Sequence, residues 1–166
     1  ADYAQRLSRD EEIAGNQFDT LVIRQARGVA ALIVPWNWPL SILGAKLPQA
    51  LIAGNTLVVK PSQNSALAPM KTLKIIASLL PPGVVNVISG SASEIGDALV
   101  GHPLVRNVNF TGSVDVGRHV MKVVANNITP VTLELGGNDP AIVLEDANLN
   151  AEAFMKMYLG AFGSSG

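Results

Sequence analysis

Ala30-Ala31-Leu32-Ile33-Val34 is an unbroken apolar run, and a strand without polar alternation belongs to a sheet covered on both faces. Similar runs of strand length recur at residues 56–59, 84–88, 105–110 and 131–135. Between and after them lie segments with helical spacing of apolar residues, at 42–53, 66–80, 94–100, 114–126 and 151–162. Strand and helix in strict alternation give parallel strands joined by crossover helices. The expected fold is therefore α/β: a doubly wound, mostly parallel sheet with helices on both faces. Upstream, residues 2–7 read as the end of a helix, and residues 21–27 with 28–34 read as two short strands. Residues 1–27 are thus expected to lead into a domain spanning 28–166.

Composition narrows the function classes. A chain of 166 residues is one domain's worth, able to bury a sizeable core. Its hydrophobic content is 48% and its charged content 15%, against about 25% charged in ordinary domains. Such a surface is meant to be covered, by more polypeptide or by another subunit, so a homo-oligomer is expected. The net charge of −1 provides neither a field for nucleic acid nor a polybasic patch for lipid. With no cysteine, these residues hold no disulfide, no thiolate metal site and no thiol nucleophile. His102 and His119 lack a second ligand at useful spacing, and no metal site is expected. Residues 1–12 mix charges without the apolar core of a signal peptide. Lys46, Pro48, Gln49, Gly54 and Asn55 interrupt the most apolar window, 40–59, so no membrane span is expected and the location is read as cytoplasmic.

In a sheet of this kind ligands bind beyond the carboxyl ends of the strands. After Val34 comes Pro35-Trp36-Asn37-Trp38-Pro39, a rigid turn in which Asn37 offers an amide donor to a developing oxyanion, or whose indoles simply pack over the core. The second strand ends on Lys60-Pro61-Ser62-Gln63, an ammonium at the sheet edge that is either functional or merely solvated. After the third, Gly90 opens a turn and Gly96 follows at the next helix start. Phe110-Thr111-Gly112-Ser113, with Gly117 beyond, sets a tight glycine and a helix N-cap after the fourth strand. Free N–H groups and a hydroxyl there suit phosphate, although an ordinary capped helix reads the same way. The fifth, Val131-Thr132-Leu133-Glu134-Leu135-Gly136-Gly137, carries one carboxylate in an apolar strand. Glu134 is either paired at an edge or a desolvated general base whose pKa burial raises. Neither Gly-x-Gly-x-x-Gly nor a Walker A sequence is present. Together the strand ends describe a nucleotide site of nonstandard design.

Those motifs, in that order and at those intervals, resemble the NAD(P)-dependent aldehyde dehydrogenases from about Ile23 to Gly166. The resemblance implies a Rossmann-like cofactor domain. In the family a Cys thiolate attacks the aldehyde, hydride passes to the nicotinamide, and water hydrolyses the thioester to a carboxylic acid. It implies that Asn37 donates to the oxyanion, Glu134 activates the deacylating water, and Lys46 supports positioning and proton transfer. Val34, Trp36, Lys60, Ser62, Gln63, Gly90, Gly96, Phe110, Thr111, Gly112, Ser113 and Val116 would serve the dinucleotide, with Leu135 and Gly136 near the nicotinamide. Gln63 stands where the family often has Glu; a carboxamide would not repel a 2′-phosphate, so NADP stays open although family habit favours NAD. The family's nucleophilic Cys follows a Gly-Gln pair, which implies a position just beyond Gly166, so that these residues alone would be inactive. The alternative is a non-catalytic, nucleotide-binding or self-associating relative.

Overall fold

The computed structural model describes residues 10–16 and 18–163, so the expected helix end at residues 2–7 lies outside the described residues. β1 (Glu11–Ile13) pairs antiparallel with β2 (Thr20–Val22), Glu12 opposite Leu21. The expected strand over 21–27 is thus shorter and has a partner that periodicity did not reveal. Beyond Val22 three backbone donors are taken by side chains instead of a neighbouring strand. Arg24 N–H donates to Asp10 Oδ1 (3.1 Å), and Arg27 and Gly28 N–H both donate to Asn55 Oδ1 (2.8 and 3.1 Å).

The main sheet comprises β3 (Val29–Val34), β4 (Thr56–Pro61), β5 (Val85–Val87), β6 (Val105–Gly112) and β7 (Val131–Leu135). Its order is β5-β4-β3-β6-β7, every pair parallel. The crossovers are α1 (Pro39–Ile52), α2 (Leu67–Ser78), the short α3 (Asp97–Val100) and α4 (Val114–Ala125). The helix expected over 94–100 divides into a π-turn, Ala92–Gly96, and α3. A capping box starts that turn: Ser91 Oγ accepts from Glu94 N–H and the Glu94 carboxylate accepts from Ser91 N–H, while the Ser91 hydroxyl's own bond to that carboxylate (2.6 Å), with the backbone bond second, holds the Glu94 carboxyl below its usual pKa.

Helix α1 begins with Pro39, whose ring presets the helical φ and whose missing N–H has no helical partner to lose. It stops before Gly54, whose φ of +83° would be strained for any residue with a Cβ.

Strand alternation builds two cores. Ala30, Leu32 and Val34 face Leu43 and Leu47 of α1, Leu57 and Val59 of β4, and Leu73 of α2. Ala31, one residue out of phase, belongs to the opposite core with Leu99, Val100, Val108, Phe110, Val120 and Val124. The doubly wound expectation holds. Fully burying side chains of this kind contributes about 1.5–3 kcal/mol each.

Strands run from β3 out to β5, and the chain then returns to place β6 on the other side of β3. That reversal between β3 and β6 is a topological switch point, where the crossovers diverge and leave a crevice at the strands' carboxyl ends.

The chain divides into two compact units after Gly136. The second contains α5 (Ala151–Phe162), N-capped by Asn150 Oδ1, which accepts from Ala153 N–H (2.9 Å). A Glu152–Lys156 pair one turn apart (2.7 Å) adds only a few tenths of a kcal/mol at such exposure, roughly 0.3–0.5.

Candidate active site at the switch point

A cleft of about 810 Å³ opens at the carboxyl ends of β3, β6 and β7. Trp36, Asn37, Lys46, Thr111, Gly112, Ser113, Glu134, Leu135 and Gly136 all line it, so nine residues singled out in the sequence meet in one place. Trp36 and Trp38 are 62% and 53% exposed. Their indoles therefore do not pack over the core, and the rigid Pro35–Pro39 turn presents Trp36 and Asn37 to the cleft.

The wall of the cleft follows from strand alternation. Because Val108 and Phe110 enter the α3–α4 core, Asn109 and Thr111 project from the opposite side, towards α1. Val131 and Leu133 likewise turn Thr132 and Glu134 to that side. Asn109 stands beside Thr132 and Thr111 beside Glu134 in the β6–β7 register. Lys46 reaches this polar row from α1, and its ammonium donates to Asn109 Oδ1 at 2.6 Å. Burial lowers the Lys46 pKa from its ordinary value, and the negative charge of Glu134 acts against that shift.

Glu134 departs from expectation. The sequence reading made β7 a buried strand and left Glu134 either an edge carboxylate or a desolvated base; β7 is instead the outer strand of the sheet, and Glu134 is exposed at that edge. Among the described residues of the same unit no helix covers the Thr132–Glu134 side of β7, so water reaches the carboxylate.

Lys60 departs in the other direction. Expected at the sheet edge, it is 6% exposed at the end of β4, the second strand from the sheet's edge, and has no carboxylate partner among the described residues. Desolvation lowers its pKa. A buried ammonium in this position calls for an electron-rich ligand. Thr111 supplies a second unsatisfied group: its hydroxyl oxygen is buried without a hydrogen-bond partner among the described residues.

Gly112 cannot be enlarged without moving buried structure, because a Cβ there would lie 2.6 Å from Cζ of Phe110. Ser113 caps α4 by accepting from Val116 N–H (3.4 Å), which leaves the helix N-terminus and its dipole pointing at the cleft. Backbone donors, a hydroxyl and the Lys46 ammonium in the cleft suit an anionic, hydroxyl-bearing ligand; Lys60, at the end of β4, does not line it.

The remaining sequence candidates lie elsewhere. Val34 and Phe110 are core side chains, 1% and 5% exposed, and do not line the cleft. Ser62 caps the 3₁₀ turn Gln63–Ser65, its Oγ accepting from Asn64 N–H (3.4 Å), and Gln63 is exposed. Gly90 packs against Ile95. Gly96 ends the π-turn, and Val116 lines a separate hollow of about 380 Å³ with Asp97 and His119, which are joined at 2.7 Å. Asn109, Gln49 and Thr132 line the main cleft but were not singled out. The available signal was the alternation of Asn107 and Asn109 with Val108 and Phe110. Among the described residues no cluster of His, Asp or Glu could hold a metal, and no helix is long and apolar enough to cross a membrane.

The model of the Aldehyde dehydrogenase family matches residues 1–166. Human cytosolic 10-formyltetrahydrofolate dehydrogenase is 44% identical over 140 residues, covering 83% of this chain and 16% of the human protein. Succinate-semialdehyde dehydrogenase [NADP(+)] of Escherichia coli (strain K12) is 43% identical over 143 residues, covering 84% of this chain and 30% of that protein. A crystal structure of betaine aldehyde dehydrogenase from Staphylococcus aureus in complex with NAD+ superposes with a TM-score of 0.86 at 35% identity, over 95% of this chain and 32% of that one. The chain thus spans less than a third of the length of each of these proteins. A cleft built at the switch point and a match along the whole sequence agree: the chain belongs to the aldehyde dehydrogenase family.

Proposed function

We propose that these residues form the dinucleotide-binding part of an enzyme that oxidises an aldehyde to a carboxylic acid, through a thioester on a Cys outside this chain. The observation that carries it is the convergence of Asn37, Lys46 and Glu134 with the Thr111–Ser113 turn in one cleft at the switch point. When bound, NAD or NADP supplies the hydride acceptor. The unpartnered Thr111 hydroxyl, the buried Lys60 ammonium and the α4 N-terminus fit such a molecule. Lys60 and Gln63 take the ribose hydroxyls or the phosphate, Trp36 and Leu135 flank the flat ring, and Gly112 lets the backbone approach.

Asn37 donates its amide N–H to the oxyanion of the attacked aldehyde, an interaction that strengthens as charge develops. Glu134 takes a proton from the water that attacks the thioester. For that it needs the desolvation this unit does not give it, so we assign the missing cover of β7 to polypeptide outside this unit. The same assignment explains the apolar surface, and with it we assign a homo-oligomer in the cytoplasm, whose mass sedimentation would report. Gln63 offers no negative charge against a 2′-phosphate, so both cofactors fit; family habit favours NAD.

Calorimetric titration of the 166-residue chain with NAD and NADP tests the binding part. Saturable binding with a dissociation constant in the micromolar range is expected, and aldehyde added to the complex should yield no NAD(P)H because the chain has no thiol. Absence of binding by either dinucleotide would favour a non-catalytic relative, and NAD(P)H production would refute the role given to an outside Cys.

A further inference from the structure

We infer that Asn109 is a positioning residue whose carboxamide holds the Lys46 ammonium at a set reach from Glu134 without neutralising it. The inference rests on the dehydrogenase reading for its catalytic meaning, but not for its geometry. Lys46 has a long flexible stem, and ordering such a side chain costs conformational entropy. Something rigid must hold its end. Asn109 is rigid because β6 lies inside the sheet, with Asn109 in register with Leu32 of β3 on one side and Thr132 of β7 on the other. Its neighbours Val108 and Phe110, 0% and 5% exposed, anchor the backbone in the opposite core.

The contact itself is short, 2.6 Å from Nζ to Oδ1, as expected when the donor is charged. Residue type then decides the electrostatics. An Asp here would add a second carboxylate to the polar row that contains Glu134 and would pair with Lys46, cancelling the positive charge. Ala or Ser would not span the gap. The neutral amide fixes position and leaves the charge of Lys46 free to act on Glu134 and on a ligand in the cleft. Among the described residues the charged groups around Lys46 are Glu134 on β7 and Arg27 from the segment before β3, which lines an adjoining hollow of about 280 Å³ together with Lys46 and Asn109. Arg27 cannot substitute for Asn109, since a cation repels the ammonium.

The test is the titration of the Lys46 side chain, followed by NMR through its ¹³Cε and ¹⁵Nζ signals in the 166-residue chain. An acceptor favours the ammonium form, so removing it should lower the pKa. In Asn109→Ala the Lys46 pKa should fall by about one unit, and in Asn109→Asp it should rise by about as much. Asn109→Ser serves in place of the alanine variant if that does not fold, with the same expected direction. A merely structural Asn109 would alter unfolding but leave the Lys46 titration where it was in both variants, and that result would overturn the inference. In the intact dehydrogenase, Asn109→Ala should move the alkaline limb of the kcat profile by the same amount. If the titration shifts as stated while the intact polypeptide oxidises no aldehyde, the positioning role stands and only the dehydrogenase reading falls.

Discussion

Glu134→Gln, made in the intact enzyme to which these residues are assigned, is expected to slow steady-state aldehyde oxidation by about 10²–10⁴-fold, the range over which a general base contributes. Glu134 stands on β7 beside Thr111 of β6, on the cleft wall that also bears Asn109 and Thr132. Its amide replacement keeps size and hydrogen bonding but cannot accept a proton from water. The loss should fall on one step. Hydride leaves before the thioester is hydrolysed, so a first-turnover burst of NAD(P)H should survive while later turnovers stall. Rapid-mixing absorbance reads both phases. An unchanged steady state, or a burst lost in proportion, would remove Glu134 from the hydrolytic step.

Lys60→Met is expected to trade stability against binding. Lys60 is buried at the end of β4 and unpaired with any carboxylate among the described residues. An apolar side chain of similar length avoids the desolvation of an ammonium, so the folded chain should gain about 1–3 kcal/mol. The unfolding midpoint should rise by roughly 2–4 °C per kcal/mol for a chain of this size. Dinucleotide affinity should fall about 10–100-fold, the worth of a hydrogen bond from a charged donor. The pH dependence has a definite sign. With its folded pKa below the ordinary 10.5, Lys60 loses its proton in the folded state first, so the unfolded state binds more protons in that window. Stability from this group therefore rises as pH climbs towards 10.5, and Lys60→Met should lose that rise. Lys46 acts with the same sign, so the slope should diminish without vanishing. Scanning calorimetry between neutral and alkaline pH, with titration of NAD, measures all three effects. A less stable variant with undiminished affinity would mean that Lys60 is a packing residue.

Periodicity carried most of the fold because the strands that matter are central. Ala30 to Val34 has neighbours on both sides and helices on both faces, so every position is apolar and its meaning is unambiguous. β7 carries a similarly apolar sequence but is an outer strand, and the cover its residues anticipate does not come from the described residues of its own unit. Local sequence reports the environment a residue suits, and for Glu134 that environment is not completed by the described residues of its own unit. The hairpin partner Glu11–Ile13 was missed for a different reason: three exposed residues bury too little to leave a periodic trace. Within the site, residues following strands were legible because topology alone brings strand ends together. Asn109 was not, since it lies within a strand and acquires its role only when α1 brings Lys46 across the sheet. Lys60 was legible in position but not in burial, because no local pattern says that its stem lies inside the sheet.

The assignment of the switch-point cleft to a dinucleotide is tested most directly by mapping where NAD binds, through backbone amide shifts of the isotopically labelled chain. The largest changes are expected at Trp36 and Asn37, at Thr111 to Ser113 and at Leu135 and Gly136, with the groove between α2 and β5, near Met70 and Asn86, unaffected. Changes centred on that second groove, or none at millimolar NAD, would contradict it.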